Sequence, residues 1–463
     1  MKASKLNIFK LNNLKIHELN SKTRDKNIIR QIGTSMIFKV VSVGLNFFLV
    51  PVLLTKLGNE KYGIWSTLLA VMQWVALMDI GIGNGLKNKL TEALSKNQLQ
   101  AAKEYVSTAY FSLGFLGVIL IAVITPGFFF FNWNKIFNST IESNSDLRTI
   151  AMTFVYAMVI YLVLSLVNQV MSSVQRNSLT SIILIISNIL FLTILTISSH
   201  YIKVSLLMSV IVYSGSVIFS ILVVSSFFFS EYKYLQPSFS CFKRERINSI
   251  LGLGLKFFLI QIVGIIVFCT DNIIITQVFG PSYVTLYTIP LLLFNNINLF
   301  AGLLMMPLAS SYTEAYAKGD IEWIKNKVIL LCKLVIPLIF AVFIIVYFCE
   351  DILRFWLRKP LAIPPYLPLI MGIYTIVSIW NNIFGFVLGA LSKVRLGMYT
   401  TIVVGIANIP LAIFLSVNMR LGLGGVMLSN ILCLALSSFV APIQVYYFIF
   451  FNKKNVLWEK ILS

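Results

Sequence analysis

Twelve runs of about twenty apolar residues, separated by short polar segments, constrain this chain more than any other feature. They cover approximately 32–54, 62–83, 106–131, 150–172, 180–199, 204–229, 251–277, 283–307, 328–349, 366–390, 397–417 and 423–450. At about 1.5 Å per helical residue, each run is long enough to cross roughly 30 Å of hydrocarbon. Hydrocarbon offers peptide groups no hydrogen-bond partner, so a spanning segment must be a helix or part of a closed barrel. The period-two alternation of a membrane barrel does not persist through any run, so helices are expected. Composition agrees: 58% of the 463 residues are hydrophobic and 12% charged, against roughly 25% charged in soluble domains. The expected fold class is an all-α integral membrane protein with about twelve transmembrane helices.

The net charge of +20 takes its meaning from position. Of the 37 Lys and Arg, 25 fall on the side that holds both termini, nine on the opposite side, and three (Lys39, Lys256 and Lys333) within spans. The basic side is normally cytoplasmic, which places both termini on the cytoplasmic side of the membrane. The surplus therefore reads as orientation and attraction to anionic headgroups, and nucleic acid is not an expected partner. About 30 polar and basic residues precede the first run, which is too long for a signal-peptide core.

Five scattered cysteines without a CxxC, and only two histidines, His17 and His200, leave little to coordinate a transition metal. Gly81, Gly83 and Gly85 follow no strand and precede no Gly-Lys-Ser, so they do not form a phosphate-binding loop. There is no nucleophile elbow either, and no enzyme or cofactor is expected.

An internal repeat appears at an offset of 222 residues. Gly58 pairs with Gly280, Thr91-Glu92-Ala93 with Thr313-Glu314-Ala315, and Lys96 with Lys318. Farther on the offset drifts by two or three, pairing Arg176 with Arg395 and Asn188 with Asn408. Six spans per half is an even number, so the halves point the same way, related by an axis along the membrane normal. The expected organisation is a basic amino-terminal segment (1–30), a first lobe (31–229), a cytoplasmic linker (230–250), a second lobe (251–450) and a tail (451–463). The loops 84–104 and 310–327, and the first 30 residues, read as amphipathic segments at the inner surface.

Ionisable residues within spans cost several kcal/mol, about 2.5 to 3.5 at a helix centre, so each needs a partner or a task. Lys39 lies two turns into the first span; it either lines a polar cavity or snorkels to the headgroups. Lys256 and Lys333 lie nearer the cytoplasmic ends, where snorkelling is easier. Asp271, in Phe268-Cys269-Thr270-Asp271-Asn272, could take up a proton or sodium ion, or pair with Lys39 across the halves. Asp79, beside Gly81 and Gly83, suits a helix end as well as ion coupling. Arg176 and Arg395 hold matching places at inner span ends, where guanidinium forks could grip a pyrophosphate or anchor short loops. Polar residues within spans, among them Gln73, Gln169, Gln261, Asn296 and Asn298, suggest a wet cavity or bonds between helices.

Two stretches resemble the start of Wzx-type polysaccharide flippases: Leu57-Gly58-Asn59-Glu60-Lys61-Tyr62-Gly63-Ile64-Trp65 and Asp79-Ile80-Gly81-Ile82-Gly83-Asn84-Gly85-Leu86. That family shares a superfamily with the multidrug and toxin extrusion (MATE) exporters. The likeness continues through Asp271-Asn272-Ile273-Ile274-Ile275, Phe279-Gly280, the segment from Pro307 to Asp320 and Leu353 to Trp356, covering about 30–450. It implies two six-helix lobes in a V around a cavity that opens alternately to either side. The implied cargo is an undecaprenyl-pyrophosphate-linked oligosaccharide, met by Lys39, Lys256, Arg176 and Arg395. Asp271 and Asp79 are then the ion-coupling candidates, with protons or sodium ions as the coupling ion. Implied partners are the lipid-linked cargo, membrane lipids and the polysaccharide polymerase machinery. A MATE-like cation exporter, a lipid II flippase and a membrane glycosyltransferase are the alternatives at this stage.

Overall fold

The structure, a computed structural model, describes residues 21–76, 79, 81–252, 270–317, 319–391, 393 and 395–450. These residues form helices and connecting turns, with no strand among them. In chain order the helices are α1 (Ser21–Ala76), α2 (Ile82–Ser95), α3 (Leu99–Phe130), the short α4 (Trp133–Phe137), α5 (Asn144–Leu164), α6 (Leu166–Ser173), α7 (Asn177–Tyr201) and α8 (Leu206–Glu231). After the connecting segment come α9 (Asp271–Phe279), α10 (Pro281–Ala317), α11 (Ile321–Tyr347), α12 (Cys349–Leu357), α13 (Leu367–Ala390), α14 (Arg395–Ile413) and α15 (Gly422–Val445). A further helical stretch covers 244–252.

Ten of the described helices are long and apolar enough to cross a bilayer, against the twelve spans expected. The difference has two sources. The first two expected runs lie in one helical assignment, α1, broken at Gly58 (φ 73°, ψ 175°), and most of the expected seventh falls at 253–269, outside the described residues. Two expected surface segments also resolve differently. Helix α1 already begins at Ser21, so the basic residues from 21 onward extend the first span, and residues 310–317 extend α10. Nothing in either stretch breaks a helix until Gly319, at φ 74°.

Polar caps mark several helix starts. The side chains of Ser143, Ser205 and Asp320 accept hydrogen bonds from the backbone N–H three residues on, satisfying donors that the first turn leaves open. On α2, Glu92 accepts bonds from Lys96 (2.7 Å) and Lys89 (3.0 Å), which hold its carboxyl down at about 2.

The repeat suggested by the sequence is written in the backbone. Gly58 and Gly280, 222 residues apart, share the same left-handed, extended conformation (φ 73° and 97°, ψ 175° and 162°). At the same offset, Asn97 and Gly319 both have positive φ, and Gln98 and Asp320 cap α3 and α11 with nearly the same angles (φ −89° and −80°, ψ 69° and 68°). The register continues into these helices: Ala102, Val106, Ala109 and Leu113 are buried, as are Ile324, Val328, Leu331 and Val335.

Two apolar cores result. One belongs to the first half and its linker, built on Leu86, Leu90, Val106, Leu113, Val170 and Ile221 with Leu235 and Ile250. The other crosses between the halves, joining Leu53, Ile64, Trp65, Phe154 and Phe191 to Ile275, Tyr287, Phe294 and Met427. The linker is fastened to the first half. Arg246 grips Glu104 through Nε and Nη2 (3.2 and 3.0 Å), donates to the Tyr105 hydroxyl (3.1 Å) and lies over its ring. Ser107 Oγ accepts from the Ser238 N–H and Thr108 Oγ1 from the Lys243 N–H, both at 3.1 Å.

Gly85 fixes where the linker returns to the bundle, because a Cβ there would stand 2.1 Å from the Ile250 carbonyl oxygen. Gly85→Ala should destabilise the protein by about 1–3 kcal/mol, the range for overpacking, seen as a lower thermal midpoint in detergent. Gly114→Ala, with nothing within 4 Å of the added carbon, should leave the midpoint equal or higher. Equal midpoints for both variants would mean that the linker is not seated on Gly85.

Candidate functional site

The two halves meet along a seam at the face opposite the one that carries most of the basic residues. It begins from glycine chemistry. An ideal Cβ on Gly63 would lie 1.7 Å from the Pro281 carbonyl oxygen, so the start of the second apolar run touches α10 backbone to backbone. Adding 222 to Gly63 gives Thr285, and adding it to Asn59 gives Pro281. Correspondingly, Thr285 Oγ1 donates to the Asn59 carbonyl at 2.6 Å. The two contacts are thus the same contact viewed from either half, as a local two-fold relation requires.

Around this pair lies a band of polar bonds. Thr67 and Thr276 share a hydroxyl–hydroxyl bond of 2.7 Å, and Asn272 Nδ2 donates to the Ser66 carbonyl at 3.2 Å. Gln277 Nε2 donates to the carbonyls of Lys135 and Ile136 while its own carbonyl accepts from Asn138 Nδ2. Trp356 Nε1 donates to the Phe47 carbonyl at 2.7 Å. These bonds between the halves all lie at this end, and Lys61–Glu142 and Ser139–Glu60 brace the first half beside it. A cavity of about 500 Å³ opens above the seam, lined by Glu60, Asn134, Lys135, Ser139, Pro281 and Tyr283 among others.

Directly behind the seam sits Asp271, 6% exposed. Its Oδ2 accepts hydrogen bonds from the Tyr287 hydroxyl and from Asn430 Nδ2, the latter at 2.7 Å. Asn430 Oδ1 in turn accepts from Asn408 Nδ2 at 2.8 Å. The other carboxylate oxygen, Oδ1, is buried and has no hydrogen-bond partner among the described residues, and the same holds for Asn408 Oδ1. A charged carboxylate in this position is expensive without a proton or cation, because a buried anion needs compensation on both oxygens. Helix α9 carries both features within nine residues: Asp271 faces into the second half, while Asn272 and Thr276 hold the seam.

The structure distributes the sequence candidates unevenly. The described partners of Asp271, Tyr287 and Asn430, both belong to its own half. Lys39 lies on α1 with its side chain outside the described residues, and Lys256 lies outside them altogether. Asp79 ties down a helix start, accepting from the Gly81 N–H through Oδ1 (2.7 Å) and from the Gly83 N–H through Oδ2 (3.1 Å). Arg176 is exposed and engaged by Glu231 (3.0 Å) and the Tyr232 hydroxyl (3.3 Å). Arg395 is exposed at the first turn of α14. The side chains of Gln73 and Gln261 lie outside the described residues, and Asn296 bonds back to the Leu292 carbonyl within its own helix. Sequence reasoning missed Tyr287, Asn430, Thr67 and Thr276. A tyrosine or threonine inside an apolar run looks like packing, and only the Asn188–Asn408 repeat pair pointed toward this cluster.

Comparison with known proteins agrees with the architecture. Residues 28–313 match the family described as Polysaccharide biosynthesis protein. A Yersinia pseudotuberculosis protein named as an O-antigen export protein is 24% identical over 376 residues, covering 77% of this chain and 82% of that one. A Salmonella typhimurium protein named as an O-antigen transporter is 34% identical over 87 residues, so this chain spans only 20% of its length there. Among solved structures, an inward-facing MATE multidrug transporter aligns with a TM-score of 0.72 at 14% identity, over 91% of this chain and 98% of that one. An outward-facing MATE transporter aligns at 0.63 and 15% identity, over 91% and 95%. The fold is therefore that of a multi-pass MATE-like membrane transporter, and the chain belongs to the polysaccharide biosynthesis protein family.

Proposed function

We propose that this protein flips an undecaprenyl-pyrophosphate-linked oligosaccharide across the bacterial cytoplasmic membrane, from the inner to the outer leaflet, for assembly of a surface polysaccharide. The observation that carries the reading is the pairing of a closed polar seam at one face with a buried, half-satisfied carboxylate on the same short helix. Family membership and relatives named for O-antigen export support the cargo class. In this reading both termini are cytoplasmic and the seam is the extracytoplasmic gate.

The bonds of the seam support an alternating-access cycle. With the seam closed, the way between the halves is shut on the outside. Opening it requires losing the Thr67–Thr276, Asn272–Ser66 and Thr285–Asn59 bonds together and parting the Gly63–Pro281 backbone contact. Each hydroxyl or amide exchanges a protein partner for water, which costs about 1 kcal/mol or less per bond, so the seam can be broken repeatedly. Uptake or release of a proton or sodium ion at Asp271 Oδ1 would shift α9, and with it Asn272 and Thr276. The ion gradient then acts on the gate through one rigid element. On the opposite side, Arg176 and Arg395 at the inner ends of α7 and α14, with Lys39 and Lys256, would receive the pyrophosphate, whose charge cannot enter hydrocarbon unaccompanied.

Deleting the gene in a strain without a second flippase should abolish a surface glycan and leave its lipid-linked repeat unit on the inner leaflet. An unchanged surface glycan would refute the flippase reading. In Asp271→Asn, which keeps the shape but cannot ionise, export should fall at least about tenfold, roughly 1.4 kcal/mol, at unchanged abundance in the membrane. Full export by that variant would leave Asp271 a structural residue.

The gate can be tested apart from the coupling. Hydroxyls 2.7 Å apart place Thr67 and Thr276 within reach of a disulfide. A Thr67→Cys/Thr276→Cys double variant in a background without the native cysteines should cross-link on mild oxidation, lose export, and regain it on reduction. Cross-linked protein that exports at the uncross-linked rate would show that the seam does not open during transport.

A further inference from the structure

On the second half, α11, α13 and α15 part to leave an apolar groove of about 590 Å³, lined by Val328, Ile329, Cys332, Ile336, Trp380 and Pro442 among others. One charged residue, Lys333, lines it as well. The groove runs from the first half of α11 to its middle and along the last turns of α13 and α15, the ends nearer the face assigned to the cytoplasm. A π-helical turn over Tyr446–Phe450 follows Pro442 and widens the end of α15. Ile336 and Ile443 are 68% and 64% exposed, so the groove opens sideways toward the bilayer.

The internal repeat says what is unusual about it. In the first half the matching surface of α3 is covered by the linker: Ser107 bonds to Ser238, and Phe111 packs edge-on against Phe239 with ring centroids 5.2 Å apart. At the offset of 222 these positions become Ile329 and Lys333, whose helix keeps the same buried register. A cation thus stands where the first half has an aromatic ring, and no described segment covers it.

Lys333 is exposed and makes neither an ion pair nor a hydrogen bond among the described residues, whereas Lys325 pairs with Glu322 and Lys327 lies over Trp323. Side chains on a helix lean toward its amino terminus, which here directs the ammonium toward the headgroups of the inner leaflet. A cation without a described partner, set in the wall of an apolar groove with a side chain long enough to snorkel toward the headgroups, matches a lipid with a chain and an anionic head. The chain's own tail is the poorer match, since 451–463 carries Lys453, Lys454 and Lys460 against the single acid Glu459.

We propose that this groove is a binding site for an anionic phospholipid of the inner leaflet, with one acyl chain between α11, α13 and α15 and the phosphate on Lys333. The site does not depend on the transported cargo. The test uses the full-length protein in nanodiscs containing either phosphatidylglycerol or phosphatidylcholine with a photoreactive acyl chain, and cross-linked peptides are mapped by mass spectrometry. Labelling at 328–336 and 442–446 should favour phosphatidylglycerol about fivefold, the effect of one basic residue near an anionic surface. Lys333→Ala should remove the preference and Lys333→Arg should keep it. Equal labelling by both lipids, or a preference that survives Lys333→Ala, would overturn the site. Absence of labelling would overturn it in favour of the chain's own tail. Displacement by trace polyprenyl phosphate, but not by added phosphatidylglycerol, would assign the groove to the cargo's tail instead.

Discussion

A peptide group has no partner in hydrocarbon, so every point at which this chain stops being helical must sit at a membrane face or be wrapped in protein. That constraint sets the rest of the architecture. The left-handed glycines, Gly58 and Gly280, stand at the ends of apolar runs on the face expected to be outside. They occupy equivalent places in the two halves, and the stretches that follow them bring the halves together, Gly63 and Thr285 each meeting a carbonyl of the opposite half. Solving the local problem of the turns also builds the seam.

The same economy appears at α9. One helix of nine residues bears the buried carboxylate on its inner side and two seam residues on its outer side. If Asp271 couples an ion to transport as proposed, no long relay is needed for its protonation or occupancy to reach the seam, because the two features share one short helix. The hydrogen bonds from Tyr287 and Asn430 fix one oxygen of the carboxylate and leave the other available. That arrangement holds the acid in place without completing its coordination.

Much of the fold was legible in the sequence because its signals are long. Runs of twenty apolar residues cannot be mistaken for turns, and the charge count needed no knowledge of packing. The 222-residue repeat was visible in Gly58 and Gly280 because glycine is favoured where φ is positive, most of all with an extended ψ. What the sequence could not reveal were short-range partners made over long separations. Asp271 was identifiable as costly, but nothing in its neighbourhood named Asn430, 159 residues away. The donors that hold its carboxylate are neutral side chains, Tyr287 and Asn430, which no charge pattern in the sequence marks. Asp79 shows the reverse: its glycine neighbours already suggested the helix-end bonds that it makes.

The way the linker is fastened has a mechanical consequence. Arg246, Ser107 and Thr108 make the segment through Lys243 and Arg246 a part of the first half, and Ile250 closes it against Gly85. A connection of some twenty residues could have acted as slack rope between two bodies. Clamped in this way, it is a bracket, and the second half swings from a fixed post. In the proposed alternating access, what the linker passes to the second half would depend on this grip rather than on the length of its polar stretch.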